Sequence, residues 1–310
     1  MNRFASDFQV TWPAWRAPAV KALRAMLGEI EGLAITGGES SVKFSPGAAS
    51  SGRWLAGFSP AGVSPQRLMG LPERLGLPQA WAQRFRSQFQ GARHIYLAVE
   101  QSPSQVVAKV YCEHALPVVD QRHRAPQARD VALHIESCKW RWDAPQDTPS
   151  CTEYWRLSGL DGPDMVALLH EGQDIAPALQ PVYASVAQVL DSALRSAPDW
   201  HGHRLLLVRE PGTARQGMGV RFYGSEWRVG SIAQHFSALW KAWDINPEWL
   251  NPVTSHWGEQ ELGWLHAGLD AQSQPYLTVY GALNAAQTRS VLRQANGASP
   301  PTMADVPVSV

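Results

Sequence analysis

Lysine, arginine and tyrosine recur two residues apart in several short, otherwise apolar segments of this 310-residue chain. Lys109-Val110-Tyr111 and Arg221-Phe222-Tyr223 are the clearest, and the spacing returns in Tyr154 and Arg156 and in Tyr276, Thr278 and Tyr280. Residues two apart share one face of a β-strand. Each segment therefore presents cations and phenols on one face and aliphatic side chains such as Val110, Val220 and Val279 on the other. An interior built from such a polar face is costly to desolvate unless something binds there. The types present suit a ligand with two unlike parts: an anionic part held by charge-assisted hydrogen bonds, and an apolar or cationic part held against aromatic faces. The alternative is an ordinary solvated sheet face, but that would favour Lys, Glu, Gln and Ser over recurring Tyr.

Hairpins must position these residues. Period-two runs come in pairs: GGESSVKFSP with GRWLAGFSP, RHIYLAVE with VVAKVYCE, VALHIESCKWRW with CTEYWRL, HRLLLVRE with MGVRFYG, and ELGWLHAGLD with PYLTVYGAL. Turn-rich spacers such as GAASSG, QSPSQ and PGTARQG join the members of each pair. Helical periodicity is expected between most hairpins: over 14–32, over 64–90 with breaks near Pro72 and Pro78, over 164–196, over 231–243 and part of the Trp-rich stretch after it, and in a short helix ending near 294. About ten antiparallel strands in one twisted sheet tend to curl, and closure removes the exposed edges. The expected fold is α+β, a closed barrel with a polar, aromatic-lined interior and helices covering its aliphatic outside, in a single domain over 1–296 with a flexible tail at 297–310.

Composition narrows the function classes. Lys+Arg and Asp+Glu are both 27, so the chain lacks the basic excess of a general nucleic-acid or anionic-membrane binder. No secretory signal opens the sequence and no apolar run is long enough to span a bilayer. Three cysteines, Cys112, Cys138 and Cys151, fit reduced thiols in the cytoplasm. The pairs Cys112/His114, with His123, and His201/His203 lack the partner motifs of a metal site, and no phosphate loop or nucleophile elbow is present.

With the hairpins and their K-x-Y and R-x-Y faces in place, the chain resembles the ABBA aromatic prenyltransferases, the PT-barrel superfamily. The resemblance is carried by Lys109-Val110-Tyr111, Arg221-Phe222-Tyr223, PYLTVYGAL, and a first hairpin with a glutamate on its first strand. It covers about residues 15–290 as architecture, and departs from the family where Pro117–Asp130 offers no helical connection between the second and third hairpins.

The resemblance implies transfer of a C5 or C10 prenyl group from dimethylallyl or geranyl diphosphate to an indole, phenol or peptide aromatic side chain, by a monomer in the cytoplasm. Glu39, which shares a strand face with Ser41 and Lys43, is the expected catalytic carboxylate, with Glu113 or Glu136 in reserve. Arg53, Lys109, Tyr111, Arg156, Arg221 and Tyr223 are expected to bind the diphosphate. Tyr154, Tyr276 and Tyr280 are expected to shield the allyl cation. No metal is expected to be obligatory, because the branch that uses Mg²⁺ has an Asp in the second strand of the first hairpin and RWLAGFS offers none. A rival reading is a non-catalytic barrel that binds an aromatic or anionic small molecule as an accessory in biosynthesis.

Overall fold

The computed structural model describes residues 17–89, 91–102, 104–115, 130–246 and 258–295. The connection at 116–129, the Trp-rich stretch at 247–257 and the expected tail at 297–310 lie outside the described residues.

Ten antiparallel strands pair as five hairpins: β1 (Ile35–Ser45) with β2 (Ala48–Phe58), β3 (Ala92–Gln101) with β4 (Val106–His114), β5 (Asp130–Arg141) with β6 (Ser150–Ser158), β7 (Arg204–Arg209) with β8 (Gln216–Arg221), and β9 (Leu262–Leu269) with β10 (Pro275–Leu283). Neighbouring hairpins pair in turn, and β10 closes on β1 to complete the barrel. All five hairpin turns lie at one end, hereafter the turn end. The helical connections leave from the other, the helix end.

Seven α-helices cover the outside among the described residues: α1 (Ala17–Ile30), α2 (Pro65–Arg74), α3 (Gln79–Phe89), α4 (Gly162–Ile175), α5 (Gln180–Ser196), α6 (Ser237–Ala242) and α7 (Ala285–Ala295). In α1 the buried face is Ala19, Ala22, Leu23, Met26 and Ile30, steps of three and four that keep one stripe against the barrel. α4 begins with a capping box between Asp161 and Asp164. The expected break near Pro72 does not occur. Pro72 lies inside α2, and the helix stops beyond it, where Gly76 adopts φ +80°. The 231–243 stretch is a 3₁₀ helix, Val229–Phe236, running into α6.

The outward strand faces meet these helices in two apolar layers. Trp54, Phe58, Ile95, Leu97, Val110 and Trp140 pack under α1, α2 and α3. Phe44, Leu205, Val220, Leu265, Leu277 and Val279 pack under α4, α5 and α6. Burying the aliphatic face on the outside commits the polar face to the interior.

The strands are strongly staggered. Stepping across partners from Arg204 through Arg221, Trp264, Tyr280, Ser41, Arg53, Glu100 and Val107 arrives on β5 at Arg141. The opposite path from Leu205 through Leu157 arrives at Val131. A row of paired residues thus climbs from the helix end to the turn end, and the height of an inward side chain depends on strand as well as position.

Candidate active site

Glu39 stands on β1 four residues before Lys43, about 13 Å along the strand, and the two side chains belong to different chambers. Lys43 reaches the turn end, where its ammonium lies 3.1 Å from Asp270. Arg53 and Lys109 share Glu100 there, the arginine at 2.6 Å. Lys139 lies 2.7 Å from Glu210, and Arg215 stands 3.9 Å from the same carboxylate. Five basic side chains face three carboxylates, a surplus of two positive charges when Lys109 is protonated. Lys109 is 7 % exposed, so this is interior rather than solvated sheet. Burial would raise Glu100, but Arg53 and Lys109 outweigh it and hold the carboxyl down to about 2. Burial, with Arg53, Lys139 and Arg215 nearby, overcomes the pull of Glu100 and pushes Lys109 down to about 7.

Two donors in this chamber have no hydrogen-bond partner among the described residues. The Tyr276 hydroxyl is buried and unsatisfied, with Lys43 and Arg215 at 5.2 and 5.5 Å from its ring centre. Arg215 Nε is likewise buried without a hydrogen bond. Buried donors left unmade are costly, and here they sit among surplus positive charge.

A belt of rings crosses the middle of the barrel. Tyr111 and Tyr154 have centroids 6.1 Å apart, Tyr154 and His266 6.0 Å, and His266 and Tyr280 5.0 Å. Burial raises Tyr111 and Tyr280 well above the usual phenol range, so both stay neutral. Burial and the nearby Arg215, Arg53 and Lys109 push His266 down to about 3, so the belt carries no formal charge. Gly219 makes room for it, since a Cβ there would come within 2.5 Å of the His266 ring.

Below the belt, a cavity of about 470 Å³ opens toward the helix end, lined by Glu39, Tyr96, Glu113, Arg204, Arg221, Tyr223 and Trp264, among others. Two carboxylate–phenol pairs furnish it: Tyr223 donates to Glu39, and Tyr96 donates to Glu113. Burial raises Glu39 to about 7, against the lowering effects of the Tyr223 hydrogen bond and of Arg221. A carboxyl poised there can exchange a proton near neutral pH. Gly263 leaves space for the Tyr223 ring, which would lie 3.0 Å from a Cβ at that position.

The structure divides the residues expected to hold a diphosphate. Arg53 and Lys109 stand at the turn end with Tyr111 directly below. Arg221, Tyr223 and Arg156 lie at the helix end: Arg221 donates to the Gly202 carbonyl at 2.8 Å, and Arg156 is held below its usual range by burial and by Arg204 and Arg221. The reason is stagger, because inward pointing fixes the face and not the height. Tyr276 stands among the turn-end cations rather than in the belt, which keeps Tyr154 and Tyr280. Tyr223 lies two residues beyond the end of β8, so a turn and not the strand aims its phenol. Glu136 is not inward. It shares parity with Cys138 and Trp140 and meets α3, accepting from Gln88 at 2.6 Å.

Sequence reasoning missed Glu100, Lys139, Arg215, Trp264 and His266. Period two in VALHIESCKW and ELGWLHAGL carried the signal for Lys139, Trp264 and His266. Arg215 falls within the turn-rich PGTARQG, which hides its inward position. The three cysteines are free, no described helix is long and apolar enough to cross a membrane, and no cluster of three or more potential metal-ligating His, Cys, Asp or Glu side chains occurs among the described residues.

This arrangement is the ABBA, or PT-barrel, fold. The structure of AnaPT from Neosartorya fischeri superposes with a TM-score of 0.50 over 81 % of this chain and 79 % of that one, at 12 % identity. The NotF prenyltransferase gives 0.49 over 80 % and 81 %, and 5-dimethylallyltryptophan synthase from Streptomyces coelicolor 0.47 over 79 % and 80 %, each at 13 % identity. No protein-family model and no curated protein sequence matches the chain.

Proposed function

We propose that the protein is an aromatic prenyltransferase that moves a C5 or C10 group from an allylic diphosphate to an indole, phenol or peptide aromatic acceptor. One observation carries the reading: a cation-rich chamber with unsatisfied buried donors and a cavity holding the Glu39 carboxyl lie on opposite sides of a belt of aromatic rings. The neighbour with the highest of these TM-scores, AnaPT, is a fold-level likeness that agrees with it.

Lys43, Arg53, Lys109, Lys139, Arg215 and the Tyr276 hydroxyl would receive the diphosphate and stabilise the charge it gains as the allylic C–O bond breaks. The allyl cation then faces Tyr111, Tyr154 and Tyr280, each cation–π contact worth about 0.5–2 kcal/mol. A neutral His266 adds no repulsion. The acceptor ring, held in the cavity, attacks the cation from the far side of the belt. Glu39 accepts the hydrogen bond from the acceptor's N–H or O–H and takes up the proton released as aromaticity returns. Incubation with dimethylallyl or geranyl diphosphate and a panel of indoles and phenols should give prenylated acceptor and free pyrophosphate. Binding of both substrate classes with no product from any pair would favour the non-catalytic barrel.

The pH dependence has a definite sign. A protonated Glu39 cannot accept a proton, so turnover with both substrates saturating should rise as pH increases through about 7. Lys109 loses its charge over the same range, so affinity for the diphosphate should fall as pH rises through about 7. Opposite slopes in turnover and in affinity are the expected signature. A flat turnover profile between pH 6 and 8, roughly the window centred on that carboxyl, would remove Glu39 from the proton transfer.

The turn-end counter-charge is ammonium and guanidinium, and each carboxylate there is already ion-paired. Turnover should therefore persist in excess EDTA. Abolition by EDTA with recovery on adding Mg²⁺ would overturn the metal-independent assignment.

A further inference from the structure

Cys138 on β5 and Cys151 on β6 stand directly opposite one another in the third hairpin. Their neighbours Lys139 and Thr152 meet Glu210 inside the barrel, so both thiols belong to the outer face. Cys138 is buried in the apolar layer that holds Val110 and Trp140, and the half-buried Cys151 packs against it. Opposed Cα atoms on antiparallel strands lie about 4.5–5.5 Å apart, inside the roughly 4.4–6.8 Å span of a disulfide. Cys112, the third thiol of this layer, is placed differently. It pairs with Glu136 while Val110 pairs with Cys138. Diagonal neighbours of that kind have Cα atoms about 7–8 Å apart, beyond disulfide reach.

We propose that Cys138 and Cys151 are an oxidative modification site on the outer face of the barrel, forming a reversible cross-strand disulfide with a hydroperoxide as oxidant. The surroundings assign the two roles. The Cys138 thiol donates a hydrogen bond to the Cys151 sulfur. That bond, helped by Arg84 on α3, holds Cys151 below the usual thiol range against burial and the carboxylates of Glu136 and Glu153. The same bond and burial raise Cys138, although Arg84 and Lys139 favour its thiolate. Burial and Glu136 raise Cys112. The thiolate is the nucleophile, so Cys151, the more accessible of the pair, reacts first. Its sulfur attacks one peroxide oxygen. The O–O bond breaks, an S–O bond forms, and the other oxygen leaves as water once protonated. The Cys138 sulfur then attacks the Cys151 sulfenic acid. The S–S bond forms as the S–O bond breaks, and the hydroxyl leaves as water with the Cys138 proton. Two thiols have been oxidised by two electrons and one peroxide reduced to two waters. The disulfide ties together the strands whose inward Lys139 and Thr152 both hold Glu210. Reversible bonds of this kind are what a reducing compartment permits.

Hydrogen peroxide in small excess over the folded, reduced protein tests the site independently of any prenyl transfer. Thiol titration after denaturation should fall from three to one. Intact mass should drop by two hydrogen atoms, alkylation should mark Cys112 alone, and dithiothreitol should restore all three thiols. Cys112→Ala should still lose two thiols. Cys138→Ala should stop at a Cys151 sulfenic acid that dimedone traps, and Cys151→Ala should leave both remaining thiols unreacted over the same period. The parent measurement stands even if a variant fails to fold. Survival of all three thiols, a mass gain of oxygen without loss of hydrogen, a bridge through Cys112 or a bridge between two molecules would each overturn the proposal.

Discussion

Glu39→Gln should fold, bind an unreactive diphosphate analogue like the parent, and lose about 10²–10⁴-fold in turnover, the range for a lost general base. The amide keeps an acceptor oxygen for Tyr223, so the local hydrogen bond survives. Burial already disfavours charge at this position, so removing it should not lower Tm. What disappears is basicity, which matters as the acceptor ring becomes electron-poor and sheds its proton. The loss should therefore appear in kcat under saturating substrates and in single-turnover rates, rather than in KM alone. Unchanged turnover would leave Glu39 as a hydrogen-bond acceptor for Tyr223 and direct attention to Glu113, the other carboxylate in the cavity.

Lys109→Ala should weaken binding of the same analogue about 10–100-fold, as expected for one charge-assisted contact. The fold should persist because Glu100 retains Arg53 at 2.6 Å and is not left as an unpaired buried charge. The informative contrast is Arg221→Ala. Both residues belong to motifs of the same form, cation-x-Tyr, yet they lie at opposite ends of the barrel. Arg221→Ala should leave analogue affinity close to the parent value, measured by calorimetry on the same day and buffer. A loss equal to that of Lys109→Ala would mean that the diphosphate reaches the helix end and that the division into two chambers is wrong.

The contrast also shows what was legible in the sequence. Alternation in VVAKVYCE, CTEYWRL and PYLTVYGAL placed Lys109, Tyr111, Tyr154 and Tyr280 inside a barrel, and the structure puts them there. The hairpin count followed from the paired period-two runs, and closure from edge chemistry. Height along the barrel did not follow, because it depends on the stagger between strands and on bulges, such as the irregularity between Leu133 and Ile135 that lets both His134 and Ile135 line the cavity. Distance from the hairpin turn was the usable clue. Lys43 and Lys139 each lie two residues from the turn end of their strands, whereas Arg221 is the residue of β8 farthest from its turn. Glu100 was hidden for another reason: a carboxylate within a cationic face reads as an ordinary surface residue until its two partners are seen to converge on it.

The most direct test of the two-chamber account is a crystal structure with a non-hydrolysable thiolodiphosphate analogue of dimethylallyl diphosphate. The account predicts both phosphate groups among Lys43, Arg53, Lys109, Lys139 and Arg215, the Tyr276 hydroxyl hydrogen-bonded to one of them, and the allyl end against Tyr111, Tyr154 and Tyr280, pointing toward Glu39. Phosphate density at Arg156, Arg204 and Arg221 instead, with the turn-end ion pairs undisturbed, would contradict it.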